Sequence, residues 1–248
     1  MISRIRDLTH IPRPEGKDLV LAFDVIGGIG PMPSDTVRAD PEDVGYFGTR
    51  VVLMELLSLG AEPLLVADLL TLPWPDLGER VVAGMRALLR EAGFAELPVT
   101  GSTEDNVQAL ATGAGFVGVG EVEAASIRHN LARAGDLLYL LGRPKSAPED
   151  AVRPGDPEMM NPGRLRRLMQ DRHVHEVLPL GSGGLSRELS ELGARGLRPE
   201  LAQDLPQGIL SRSGGPATAV LLAADPAWPL QAAVGVPLLP LGRLTQGS

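Results

Sequence analysis

Three carboxylates sit in apolar surroundings. Asp24 closes the run 17–24 (KDLVLAFD), Asp68 interrupts LLVADLL, and Glu55 lies in VGYFGTRVVLMELLSLG, which is apolar on nearly every side. A carboxylate in such a setting must find a cation, a hydrogen-bond donor or a proton. Glu55 therefore has either a structural arginine partner elsewhere or a metal. Asp24, read alone, serves equally well as a turn-starting residue whose side chain bonds the backbone. Taken together, and with Glu104 and Asp105 after TGST, these acids fit an oxygen-only Mg²⁺ site, because Mg²⁺ takes carboxylates, water and phosphate. Arg50 shares the apolar helix with Glu55, but the two lie about 140° apart around it and do not form the usual i, i+4 pair.

Two glycine-rich segments follow strands. Gly27, Gly28 and Gly30 form GGIG, which is neither the phosphate loop GxxxxGK[ST] nor a GxGxxG set directly between strand and helix. It reads as a mobile turn or as backbone able to approach phosphates. Gly181, Ser182, Gly183 and Gly184 fall between the strand HVHEVLPL and a helix, whose first N–H groups can receive an anion. Capping alone, by Ser182 or Ser186, is the other reading. His173 and His175 alternate on the strand HVHEV, which puts both on one side. Either they bind metal, or one acts as a base, or both are satisfied surface or core histidines. GxSxG, HExxH, HRD and DFG are absent, which removes classical hydrolase and protein-kinase readings.

These residues need a scaffold, and 248 residues with 44% hydrophobic and 22% charged content suffice for a buried core. The absence of cysteine excludes disulfides and thiolate chemistry. A net charge of −8 argues against a nucleic-acid partner, and Arg164, Arg166 and Arg167 read as a solvated helix face. The first residues lack the apolar core of a signal peptide, and no stretch approaches the ~20 apolar residues that cross a bilayer. A cytoplasmic protein with no membrane partner is expected.

The predicted fold class is α/β, in the α+β sense of a mixed sheet with helices. Asp40, Pro41, Glu42 and Asp43 mark the start of a helix over 41–59 that stops at Gly60. Strands are predicted over 17–24, through AEPLLVADLL, at PVTGST, over 109–123 and over 135–142, with a helix in GERVVAGMRALLREAG. Residues 143–163, rich in proline and charge, are the predicted linker between an N-terminal domain (1–142) and a C-terminal one (164–248). The second half is expected to hold a helix near 162–171, the strand HVHEVLPL, the helix LSRELSELGARG and strands around 217–224 and 236–244.

The run FDVIGGIGPMPSDTV, followed by VGYFGTRVVLMELLSLGAEP, resembles the aminoimidazole ribonucleotide synthetase superfamily. That superfamily includes thiamine-monophosphate kinase, selenophosphate synthetase and a hydrogenase maturation factor. In it an acid-ended strand precedes a helix with an acid shortly before G-A-x-P, so the resemblance puts Asp24 and Glu55 at metal-binding positions. TGSTE (100–104) matches the G-G-D-T turn, with Ser102 in place of its aspartate, and RAGDLLYLLG matches R-x-G-D-x-I-x-V-x-G. LPLGSGGLSREL stands where the family has D-I-S-D-G-L, without its aspartates. The short α-ribazole kinase branch, which phosphorylates the lower nucleoside of cobalamin, is most similar.

The resemblance implies a β-rich first half that dimerises through its strands, a second half that closes over the nucleotide, and transfer of the ATP γ-phosphate to a small nucleoside. Other members act on thiamine or purine precursors, and a non-catalytic nucleotide-binding module is a further alternative. On this reading Asp24, Glu55, Asp68 and Glu104 hold Mg²⁺, and Gly27, Gly28, Gly30, Ser102, Thr103, Gly181 and Gly183 contact ATP or the moving phosphate. Ser182, Arg50 and His175 serve the chemistry, His175 as the base.

Overall fold

The computed structural model describes residues 1–193, 196–229 and 235–247, which form two compact units, Met1–Ile127 and Arg128–Ser248. The first unit contains strands β1 (Ser3–Ile5), β2 (Leu8–Ile11), β3 (Asp18–Gly27), β4 (Ile29–Gly30) and β5 (Val37–Arg38), then helix α1 (Pro41–Ser58). Strand β6 (Glu62–Leu70), helix α2 (Glu79–Ala92), and strands β7 (Val99–Thr103) and β8 (Gly113–Val122) complete it. Its main sheet has the order β1-β2-β3-β8-β6-β7, with only β6 and β7 parallel among neighbours, so the sheet is mixed as expected. Strands β4 and β5 form a separate parallel pair.

Helix α1 is built as its sequence foretells. Asp40 is extended at the N-cap, Pro41 opens the helix, Glu42 and Asp43 occupy the first turn, and Gly60 follows the end with φ +83°. Most of the helix is buried because it packs on two partners at once. Against the sheet, a Cβ on Gly48 would lie 2.1 Å from the Phe116 ring, and Gly118 receives Val52 and Leu56. Against α2, a Cβ on Gly45 would lie 1.8 Å from the Val81 carbonyl oxygen, and one on Gly84 would lie 1.9 Å from the Glu42 carbonyl oxygen. Glycine is what permits so close a backbone approach. Glu42 and Arg80 add a fork-to-fork ion pair at 2.8 and 2.9 Å over the same crossing.

The helices cover one face of this sheet, and the other face keeps Phe23, Val25, Leu64 and Leu69 exposed. Strand β6 is therefore buried on one face, not on both as its composition predicts: Val66, Asp68 and Leu70 point inward and alternate with exposed Leu69. The hairpin β1–β2 goes beyond the predicted elements.

The second unit contains β9 (Leu137–Leu141), α3 (Pro162–Leu168), β10 (Val174–Pro179), α4 (Gly184–Gly193), β11 (Leu197–Leu201), β12 (Val220–Ala224) and β13 (Leu238–Gln246). Its sheet is antiparallel throughout, in the order β10-β12-β9-β13-β11. A leucine-rich core lies beneath α4, with Leu138, Leu140, Leu178, Leu185, Leu192 and Leu221 all buried. Positions 194 and 195 of the predicted helix LSRELSELGARG lie outside the described residues.

The unit boundary differs from the predicted one. Strand β9 is expected to end the first domain, yet it is the central strand of the second sheet. Residues 143–163, expected as a linker, are folded onto the second unit. Met159 and Met160 are buried, the Met160 N–H donates to the Thr218 carbonyl at 2.8 Å, and Lys145 Nζ pairs with Asp156 and Glu158, each at 2.7 Å. Proline and charge mark irregular backbone in either case, and the ion pairs that pin this excursion join residues too far apart in sequence for composition to pair them. Among the described residues no helix is long and apolar enough to cross a membrane.

The glycine crossing makes a direct prediction. Gly45→Ala should destabilise the first unit by about 3 kcal/mol or more in urea unfolding, since backbone has to move to admit the methyl. Gly27→Ala, whose methyl meets nothing within 4 Å, should cost under ~0.5 kcal/mol.

Candidate functional site

The register of the first sheet places Asp24 opposite Phe116, Phe116 opposite Asp68, and Asp68 opposite Gly101. Residues directly opposite share a face, so the two aspartates stand in one row on the helix-covered side, about 10 Å apart at their Cα atoms. Phe116, packed under Gly48, fills the gap between them. Asp68 leans the other way: a Cβ on Gly101 would fall 2.5 Å from its carboxyl carbon, so the glycine of TGST makes room for this side chain. Asp24 does not end its strand, which runs on to Gly27.

Burial dominates the chemistry of both acids. It pushes the Asp24 carboxyl up to about 6, against a backbone hydrogen bond from Val25 that lowers it. It pushes Asp68 up to about 6 as well, and Asp68 is 2% exposed with its Oδ1 lacking a hydrogen-bond partner among the described residues. Such an oxygen is a natural seat for a cation or a proton. Mg²⁺ is commonly held by one or two carboxylates together with substrate phosphates, and Asp24 and Asp68, parted by Phe116, each offer a single carboxylate of that kind.

The other expected ligands stand elsewhere. Glu55 lies about 10 Å along α1 from Gly48 and so away from the row. Its Oε2 faces Arg6 Nη2 at 4.0 Å, and the same nitrogen donates to Ser58 Oγ at 2.8 Å. Arg6, in the β1–β2 turn with φ +54°, thus stands at the outer range of an ion pair with Glu55. Glu104 is exposed and accepts the Asn106 N–H at 2.8 Å, as a local turn. Ser102 pairs with Leu69, which sets it on the sheet face opposite Asp68, and Thr103 pairs with Leu70 near the strand end. Arg50 is 1% exposed inside the packing of α1, so the expected catalytic contact with a substrate is closed to it. Among the described residues no three His, Asp or Glu side chains gather to hold a metal by themselves.

The GGIG segment is tied to its surroundings by hydrogen bonds. Gly28 and Gly30 have φ +68° and +152°, a range L side chains avoid. The Gly28 N–H donates to the Thr112 carbonyl at 2.9 Å, and Thr36 and Val37 donate back to the Gly28 carbonyl. Asp35, buried beside it, accepts from the Met32 N–H at 2.7 Å, the Thr112 N–H at 2.7 Å and the Thr112 hydroxyl at 2.6 Å. Burial acts to raise the Asp35 carboxyl, but the hydrogen bonds from Thr112 and Met32 outweigh it and hold the group below its ordinary value. Neither Asp35 nor Thr112 stands out in the sequence as a site residue. The turn composition PMPSDT around Asp35 was a signal for the local bond to Met32, whereas Thr112 is 77 residues away and gives none.

In the second unit, His175 Nδ1 lies 2.9 Å from both carboxylate oxygens of Asp136, and both residues are buried. His173 precedes β10 and pairs instead with Asp171 at 3.1 Å, while a register shift interrupts β10 between Val174 and Glu176. The two histidines are thus held by different acids and do not form one site. Gly181, Ser182 and Gly183 are exposed ahead of α4, and Gly184, with φ +64°, begins the helix. A Cβ on Gly184 would lie 2.6 Å from the Arg212 carbonyl, so this glycine is required by packing.

The raised carboxyl of Asp68 carries a pH signature in the metal-free protein. The folded chain binds this proton more tightly than the unfolded chain, whose value is near 3.8. Stability from protonation is therefore complete below the unfolded value and is lost as pH rises through about 6. Asp68→Asn should gain on wild type between about pH 4 and pH 8, reaching ~1–3 kcal/mol in urea midpoints at the upper end.

Comparison with known proteins bears on this arrangement. Residues 7–121 match the family described as AIR synthase related protein, N-terminal domain. No curated protein matches the chain. Among solved structures, tt0281 from Thermus thermophilus is 21% identical, with a TM-score of 0.64 over 94% of this chain and 84% of that one. Thiamine monophosphate kinase from Aquifex aeolicus is 17% identical, with a TM-score of 0.65 over 99% of this chain and 91% of that one. The hydrogenase maturation protein HypE, solved in complex with ATP, is 17% identical, with a TM-score of 0.66 over 91% of this chain and 77% of that one. Residues 7–121 are thus similar to the AIR synthase-related N-terminal domain, and the chain shares the fold of these solved structures along its length.

Proposed function

We propose that the chain is an ATP-dependent phosphotransferase that moves the γ-phosphate of ATP to a hydroxyl of a small nucleoside, with α-ribazole as acceptor in cobalamin salvage. The observation that carries this reading is the buried Asp68 carboxylate, whose Oδ1 has no hydrogen-bond partner among the described residues, in the same sheet row as Asp24. Two desolvated acids of this kind suit a cation bound with phosphates better than a purely structural role. The solved structures of AaThiL with AMPPCP and TMP, and of HypE with ATP, support a nucleotide on this fold.

In the proposed reaction the acceptor oxygen bonds to the γ-phosphorus, the bond from that phosphorus to the β–γ bridging oxygen breaks, and ADP leaves. Asp24 and Asp68 would each offer one carboxylate to Mg²⁺, which when bound offsets the charge on the phosphates. Gly27, Gly28 and Gly30 present backbone that can approach those phosphates closely, and Thr103, opposite Leu70 on the Asp68 face at the end of β7, adds a hydroxyl, whereas Ser102 stands on the other face. Gly181, Ser182 and Gly183 lie ahead of the α4 N-terminus and would receive the acceptor or the transferred group. His175 is the proposed base. Asp136 holds Nδ1 and so fixes the ring, leaving Nε2 to take the acceptor proton.

A homodimer is part of the proposal. Phe23, Val25 and Leu69 are 54%, 78% and 54% exposed on the uncovered sheet face, an apolar surface that a second copy would bury. Val25→Glu should convert a dimer into a monomer in sedimentation velocity; an unchanged wild-type monomer would remove this part of the reading.

Titration calorimetry with Mg·ATP, followed by ADP assays across acceptors, tests the rest. Asp24→Asn should weaken Mg·ATP binding by about tenfold or more. ADP should form with α-ribazole and not with thiamine monophosphate. The reverse preference would sink the acceptor assignment, and binding with no ADP from any nucleoside would leave a nucleotide-binding module without transfer.

A further inference from the structure

The loop between β3 and α1 is shaped by one carboxylate. Asp35 Oδ2 accepts from the Met32 N–H at 2.7 Å and the Thr112 hydroxyl at 2.6 Å, while Oδ1 accepts from the Thr112 N–H at 2.7 Å. Two of these donors come from a segment 77 residues away, just ahead of β8, and the third from the loop itself. The knot also reaches the glycines. A Cβ on Gly30 would lie 2.4 Å from Thr112 Oγ1 and 3.1 Å from Asp35 Oδ2, so Gly30 rests directly on the Asp35–Thr112 bond. The Gly28 N–H donates to the Thr112 carbonyl at 2.9 Å, and the Ser34 N–H donates to the Leu110 carbonyl at 2.9 Å. On the outer side, Arg38 donates to the carbonyls of Pro31, Met32 and Pro33, which leaves the loop's inner side to Asp35.

The hydrogen bonds of this knot are local to the loop and to the 110–112 segment, and none is needed to pair β3 with β8, whose ladder runs from Asp18 to Gly27 without it. A buried carboxylate with three donors is therefore spent on the conformation of Gly28–Gly30 and not on the sheet. Two glycines in the positive-φ range would relax into other conformations if nothing held them, because glycine visits many.

We propose that Asp35 and Thr112 are positioning residues that hold the Gly28–Gly30 turn in the shape that receives the phosphates of ATP. This rests on the nucleotide reading above. Neither side chain touches the nucleotide in this proposal. They act by preorganising backbone, so that binding does not have to order the loop.

The test measures Mg·ATP affinity by calorimetry for wild type, Thr112→Val, Thr112→Ser and Asp35→Asn, well below each variant's melting temperature. Thr112→Val keeps the side-chain shape and loses the hydroxyl donor, and it should weaken Mg·ATP binding about tenfold. Thr112→Ser restores the donor and should bind within about twofold of wild type. In turnover assays KM for ATP should rise in Thr112→Val while KM for the acceptor stays put, a split that general loosening of the fold would not produce. Should Asp35→Asn fail to fold, the threonine pair still decides. Wild-type binding of Mg·ATP that Thr112→Val leaves unchanged, or that Thr112→Ser fails to restore, overturns the positioning role alone. Absence of Mg·ATP binding in wild type overturns the nucleotide reading and this inference with it.

Discussion

The contact between Gly48 and the Phe116 ring governs the first unit. Because Gly48 has no side chain, α1 can settle onto the sheet until the ring lies against its backbone, and that depth decides which sheet residues are withdrawn from water. Phe116 is itself the middle member of the row that carries Asp24 and Asp68. The same packing that builds the core thus desolvates both acids and holds them apart. The α1–α2 crossing through Gly45 and Gly84 extends the arrangement, since α2 can come close only where both backbones are bare.

Acids in this chain meet four different solutions to one electrostatic problem. Glu55 is approached by a guanidinium from the N-terminal hairpin, Asp35 is surrounded by backbone and hydroxyl donors, and Asp136 holds a histidine. Asp68 receives none of these on Oδ1 among the described residues, and burial drives its proton affinity up instead. A structural acid is satisfied by its own chain, whereas an acid kept for a ligand is satisfied only when the ligand arrives. The contrast between Asp35 and Asp68, both buried within one unit, is what separates a scaffold residue from a candidate ligand here.

The second unit shows how far local signals carry. Its helices, and the strands at 174–179 and 220–224, follow from apolar runs and glycine stops, and they were legible as such. The strand at 197–201 was not, because LRPEL is a short edge segment with a proline and charges, and its pairing with β13 supplies what its composition lacks. Residues 143–163 failed for a related reason: their order comes from Lys145 between two acids and from buried methionines, none of which a window of composition can weigh.

By itself the sequence determined most element types, the α+β class, the proline-opened and buried α1, and the likeness of its first half to the AIR synthase-related N-terminal domain, because periodicity, helix-start signals and short motifs are local properties. It also identified Asp24, Glu55 and Asp68 as acids in need of partners. Only the tertiary structure decided what those partners are. Sheet register, a consequence of pairing across dozens of residues, set Asp24 and Asp68 on one face and Ser102 on the other. A hairpin at the chain's start brought Arg6 to Glu55, and Thr112 came to Asp35 from the far side of two helices. Need for a partner follows from residue type and surroundings in the chain, but the partner's identity depends on distances in space, which one-dimensional spacing does not contain.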